Sequence, residues 1–245
     1  MGLRGWAWGY LPAAFIPLPT AQKAMIHDPN NFITAGKPLE TAAKVMVMVH
    51  GRGASARDIL SLSNYIEDKE FAFIAPQANQ NSWYPYSFLS PLEQNEPYLS
   101  SALQVLSSIR ARLQSDYNFK PPQIFWLGFS QGACLALEYV ARNAMPYGGV
   151  FGLSGGLIGP QGTPRLYEGE LEETPIFLGC SDTDPHIPKE RVIESEGVFR
   201  SMGAAVKMKL YPNFPHSVNE DELKIVNQLI GGSSTSDAPI RELYT

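Results

Sequence analysis

Apolar positions along the chain fall into two recurring patterns. Short unbroken runs at 44–50, 71–75, 123–128, 149–153 and 175–180 have the length and composition of strands covered on both faces. Residues 98–113 instead place Leu99, Leu103, Leu106, Ile109 and Leu113 at helical spacing. Similar one-sided spacing predicts helices over 56–67, 131–143, 189–202 and 220–230, with Ser55 able to cap the first. Residues 206–211 alternate apolar side chains with lysines, as a half-exposed edge strand does. Strands alternating with helices at this rhythm predict an α/β fold: one domain over 25–230, a mostly parallel central sheet and helices on both faces.

The segments between these elements differ in character. Residues 51–55 form a glycine-rich bend directly after a buried strand, a turn that can point the Arg52 amide outward. Residues 79–97 make a long irregular stretch carrying Trp83, Tyr84, Tyr86, Phe88 and Leu89, and loops of that length tend to be functional. Residues 159–173 are polar and punctuated by glycine and proline, as surface loops are. The small polar residues of 231–245 predict a flexible tail, and 1–24 an N-terminal arm. Within that arm, 6–19 is apolar but too short to span a bilayer. The chain shows no internal repeat.

Composition narrows the class. Of 245 residues, 44% are hydrophobic, enough to bury a sizeable core. The net charge of −5 is spread without long like-charged blocks, which argues against nucleic acid as a partner. Two cysteines, Cys134 and Cys180, are too few for a disulfide scaffold. Neither has zinc-ligand spacing, and no phosphate-binding glycine loop is present, so no metal and no cofactor is expected. The expected location is the cytoplasm, with secretion the alternative if 6–19 serves as an export signal. A stable membrane insertion is not expected, and a second copy of the chain is the one macromolecular partner left open.

Chemistry gathers at strand ends. Gly128-Phe129-Ser130-Gln131-Gly132 joins a strand to a helix through a turn so tight that side chains at the two glycines would strike backbone. Such a corner lifts the Ser130 oxygen clear of the sheet, beside a helix N-terminus that favours negative charge. The loop after the strand at 175–180 supplies Asp182 and Asp184, and the loop after 206–211 supplies His216. A serine hydroxyl needs a base to take its proton, and a histidine oriented by a carboxylate suits that task. Either aspartate could serve on spacing alone. Of the four histidines, His50 ends a buried strand, His27 lies near the N-terminal arm and His186 shares the aspartate loop. His216 follows the last predicted strand and precedes the last helix, where the serine, aspartate, histidine order of α/β-hydrolases places its base.

Over about 50–230 the chain resembles the phospholipase/carboxylesterase family of α/β-hydrolases, which includes the acyl-protein thioesterases. His50-Gly51-Arg52-Gly53 is similar to that family's His-Gly oxyanion turn, and Gly128–Gly132 to its Gly-Phe-Ser-Gln-Gly. Asp184-Pro185-His186-Ile187-Pro188 resembles its acid loop, and Trp83-Tyr84 its Trp-Phe pair. The resemblance implies Asp184 as the acid, His216 as the base although Pro215 precedes it, and the amides of Arg52 and Gln131 as the oxyanion hole. Departures occur at Gly179-Cys180-Ser181-Asp182, where many thioesterases have His-Gly, and in the aromatic stretch 84–89.

These readings together predict a serine carboxylesterase acting on a small-molecule ester with a small to medium acyl group, without a large lid domain. Trp83, Tyr84 and Phe88 are the expected walls of the substrate groove. An acyl thioesterase or lysophospholipase is the nearest alternative, and a non-catalytic binding protein of the same fold a more distant one.

Overall fold

The computed structural model describes residues 25–231 and 242–244. The arm at 1–24, with the apolar segment on which the secretion reading depends, lies outside the described residues, as does most of the tail. Seven strands form the central sheet: β1 (Phe32–Gly36), β2 (Lys44–Val49), β3 (Phe71–Pro76), β4 (Ile124–Phe129), β5 (Gly149–Leu153), β6 (Pro175–Ser181) and β7 (Ala205–Tyr211). Their order is β1-β3-β2-β4-β5-β6-β7, with β1 antiparallel to β3 and every other pair parallel. This is the single-domain, mostly parallel α/β architecture that the pattern of runs predicts, and the α/β-hydrolase fold that the resemblance implies.

The runs are apolar throughout because both faces of the sheet are covered. In β2, Val45, Val47 and Val49 enter one core while Met46 and Met48 enter the other. In β4, Ile124 and Trp126 join the valines, and Phe125, Leu127 and Phe129 join the methionines. Helices α2 (Tyr98–Ser115), α3 (Gln131–Arg142) and α4 (Lys189–Ser201) cover the valine side. Helices α1 (Ala56–Leu60) and α5 (Glu220–Leu229) cover the methionine side. Each fully buried aliphatic or aromatic side chain contributes roughly 1.5–3 kcal/mol relative to exposure, so the two layers supply most of the drive to fold.

Three elements differ from the sequence pattern. β1 carries no apolar run, since most of its residues are exposed or half-buried at the sheet edge, and only its pairing to β3 marks it. The helix predicted over 56–67 stops at Leu60 and tightens into a 3₁₀ turn over Ser61–Tyr65, with the Ser55 cap in place. Finally, the expected loose tail is corrected at its end: Glu242–Tyr244 forms β9, antiparallel to the short β8 (Val218–Asn219). Small polar residues elsewhere in the tail hide this tertiary anchor.

After β3 the chain crosses back to place β4 on the other side of β2, and Val49 pairs with Gly128 at the carboxyl ends of these neighbours. In open parallel sheets ligands bind beyond strand ends at such a reversal.

Candidate active site

The corner after β4 is forced by close approach. Ser130 has φ 54° and ψ −120°, a left-handed conformation that a non-glycine residue adopts only under constraint. A Cβ at Gly128 would fall on the Gly132 carbonyl, and one at Gly132 on the carbonyls of Val49 and His50. Both glycines are therefore needed for α3 to start where it does, against β2. The Ser130 amide donates to the Leu153 carbonyl at 3.0 Å, locking the corner to the neighbouring strand.

Two loops meet the serine. His216 Nε2 lies 2.8 Å from Ser130 Oγ, and His216 Nδ1 lies 2.7 Å from Asp184 Oδ2. An ionised carboxylate can only accept, so Nδ1 carries the ring proton and Nε2 is left to accept from the serine hydroxyl. The other carboxylate oxygen of Asp184 accepts from the amides of His186 and Ile187 at 2.8 and 2.9 Å. Burial pushes the Asp184 carboxyl up, but the hydrogen bonds from His216 and these amides outweigh it and hold the pKa below the usual range.

Asp182, the other acid left open by spacing, turns elsewhere. Its Oδ1 accepts from the Asn213 amide at 2.8 Å, tying the acid loop to the loop that carries His216. His186 is exposed, and its ring stands edge-on to that of His216 with centroids 4.8 Å apart. His50 and His27 are fully buried, and burial lowers the pKa of both. His50 Nδ1 donates to the Gly51 carbonyl and its Nε2 accepts from the Ala78 amide. His27 donates through Nε2 to the Trp83 carbonyl.

The two residues expected to offer backbone amides do a second job with their side chains. The Gln131 side chain is buried; its Oε1 accepts from the Trp83 amide at 3.0 Å and its Nε2 donates to the Tyr84 carbonyl at 2.8 Å. Arg52 donates to the carbonyls of Pro85 and Tyr86 at 2.9 and 2.7 Å, and to Ser82 Oγ at 3.1 Å. Residues 82–86 are thus held by side chains from the turn after β2 and from the start of α3. Sequence reasoning missed these clamps, because a glutamine after the nucleophile and an arginine in a glycine turn carry no local mark of their targets.

A cavity of about 560 Å³ opens over Ser130 and His216. Tyr84 and Phe88 line it, as expected, together with Arg52, Gln131, Phe129, Cys134, Ile187 and Tyr244. Trp83 does not. It is fully buried, its indole N–H donates to the His50 carbonyl at 2.9 Å, and its ring packs on His50 with centroids 5.0 Å apart. Trp83 therefore supports the strand end beneath the site, and its assignment as a groove wall is corrected. Phe88 is held in place through its carbonyl, which accepts from the Gly159 amide at 2.7 Å.

Cys134 and Cys180 are free and buried, and burial pushes the Cys134 thiol up to about 12, so neither is poised as a thiolate. Among the described residues no group of three His, Cys, Asp or Glu is placed to hold a metal ion, and no helix is long and apolar enough to cross a membrane.

Residues 30–233 match the model of a family described as phospholipase/carboxylesterase. Acyl-protein thioesterase 1 of Kluyveromyces lactis is 26% identical over 222 residues, covering 82% of this chain and 97% of that protein. Carboxylesterase SOBER1 of Arabidopsis thaliana is 26% identical over 170 residues, covering 64% of this chain and 72% of its own length. Among solved structures, a phospholipase/carboxylesterase from Dyadobacter fermentans superimposes with a TM-score of 0.81 at 44% identity, covering 85% of this chain and 99% of that one.

Proposed function

The chain belongs to the phospholipase/carboxylesterase family, and on that premise we propose that it is a serine esterase that hydrolyses carboxylic esters of small to medium acyl groups through an acyl-enzyme. One observation carries the reading: the unbroken hydrogen-bonded chain from Ser130 through His216 to Asp184 beside an open cavity.

The chemistry follows from the directions of those bonds. Ser130 Oγ attacks the ester carbonyl as its proton passes to His216 Nε2, and Asp184 stabilises the imidazolium that results. The tetrahedral oxyanion is received by the amides of Arg52 and Gln131, the latter at the first position of α3, where helix amides are not used internally. Collapse of the intermediate breaks the ester C–O bond, and His216 returns the proton to the departing alcohol. Water then attacks the acyl-serine by the same route, releasing the carboxylic acid and restoring Ser130.

The size of the cavity supports the substrate class. About 560 Å³ is in the range of sites for compact small molecules, and residues 82–86 beside it are tied by hydrogen bonds to Arg52 and Gln131. A thioesterase reading is supported by the names of the Kluyveromyces lactis relative and several others, and the same residues would serve it, since the thiol leaves in place of the alcohol.

The test is covalent labelling with a fluorophosphonate together with turnover of a p-nitrophenyl ester. Wild type should label at Ser130, and Ser130→Ala should neither label nor retain more than about a thousandth of the rate. Labelling absent from wild type, or near-normal hydrolysis by Ser130→Ala, would overturn the reading.

A further inference from the structure

The tail returns to the site. Tyr244 lies outside the stretch 30–233 that matches the family, yet it lines the same cavity as Ser130 and His216. It is brought there by β9, whose partner β8 begins two residues after His216, with Val218 opposite Tyr244. The residue is 8% exposed.

Its contacts run straight to the proposed base. The Tyr244 ring meets the Phe129 ring edge-on, at 90° with centroids 5.0 Å apart, and Phe129 in turn lies 5.0 Å from the His216 ring. Edge-to-face contact of this kind fixes ring orientation as well as burying area. The hydroxyl is buried beside the Gly51 backbone in the turn after β2, while the ring meets Phe129 and lines the cavity, so the ring is the part that shapes the site.

We propose that Tyr244 is a specificity-determining residue of the esterase: the C-terminal strand supplies a wall beside Phe129 that limits the size of the group an ester can place there. This rests on the serine-esterase reading and deepens it. A rigid aromatic wall discriminates by exclusion, and each methylene that a pocket accepts or refuses changes kcat/KM by about tenfold or more. Without the ring, the cavity would extend over Phe129 into the space the ring now fills.

The experiment measures kcat/KM of the full chain on two series, p-nitrophenyl esters of increasing acyl length and acetate esters of increasing alcohol size. Fluorophosphonate labelling of each variant is measured in parallel. Tyr244→Ala should raise the ratio of large to small substrates by about tenfold in one of the two series, and the series that moves identifies which group meets the wall. Tyr244→Phe, which keeps the ring, should keep the wild-type ratio of large to small substrates, and Tyr244→Trp, which adds volume at the same place, should lower it. If Tyr244→Ala does not fold, Tyr244→Trp decides alone. A labelled, folded Ala or Trp variant with unchanged ratios in both series would overturn the proposal, whereas failure of the wild type to label would instead strike the esterase reading on which it depends.

Discussion

Asp184 and His216 are 32 residues apart in the chain and 2.7 Å apart in space, and the carboxylate of Asp184 is shielded from solvent on its whole side chain. The neighbouring Asp182 instead holds the Asn213 amide. Asp184→Asn should therefore lower kcat by about 10³- to 10⁴-fold, because the ring loses its preferred tautomer and its counter-charge. Asp182→Ala should cost less than about tenfold in kcat and on the order of 1 kcal/mol in stability, the worth of one hydrogen bond. Steady-state kinetics and thermal melts of the two variants check the split, and equal losses in both would contradict it.

Gln131 joins the corner to the aromatic stretch through two hydrogen bonds from one amide. Gln131→Ala leaves the Trp83 N–H and the Tyr84 carbonyl buried without that partner, at a cost on the order of 1–3 kcal/mol. The expected outcome is a lower melting temperature and a reduced kcat/KM with Ser130 still labelled, since the backbone amide remains. A variant as stable and as active as wild type would show that the clamp is dispensable.

Trp83 and Phe88 stand five residues apart and should behave differently. Phe88→Ala enlarges the cavity it lines and should shift acyl-chain preference. Trp83→Phe removes the donor to the His50 carbonyl and should cost on the order of 1–3 kcal/mol of stability while leaving chain preference unchanged. Chain-length profiles and denaturation curves of the pair are the measurement; a shifted profile in Trp83→Phe would return Trp83 to the groove wall.

Glu222 is buried beneath β6, with its Oε2 accepting from the Asn219 amide at 2.9 Å. Burial raises its carboxyl from the ordinary 4.5 to about 8, so the folded state holds it protonated at neutral pH. With the folded pKa above the unfolded one, its stabilising contribution is complete below about 4.5 and is lost as pH rises through about 8. Glu222→Gln removes the titration, so it should melt close to wild type at pH 5 and above it at pH 9. Melting temperatures with the same gap at both pH values would show that Glu222 does not titrate in this window.

The legible part of the molecule is the part written in local periods. Valine and methionine alternate through β2 because successive strand residues face opposite layers, and the α2 leucines recur because a helix turns every 3.6 residues. The strand, corner and helix around Ser130 are likewise local, as the two glycines stand where any side chain would meet backbone. Serine, aspartate and histidine in order after β4, β6 and β7 could also be read along the chain, since parallel strands deliver their carboxyl ends to one edge.

Only the tertiary structure decided what depends on side-chain direction and distant pairing. Asp182 and Asp184 are equivalent in spacing, and their separate roles come from the turn that brings two amides onto Asp184. Trp83 looks like any loop aromatic until its indole is seen on the His50 carbonyl. β1 and β9 lack an apolar run of strand length to announce themselves, because an edge strand is defined by the hydrogen bonds of a partner far away in sequence. Tyr244 belongs to the site for that reason alone: a three-residue strand places it, and no local pattern records where its partner lies.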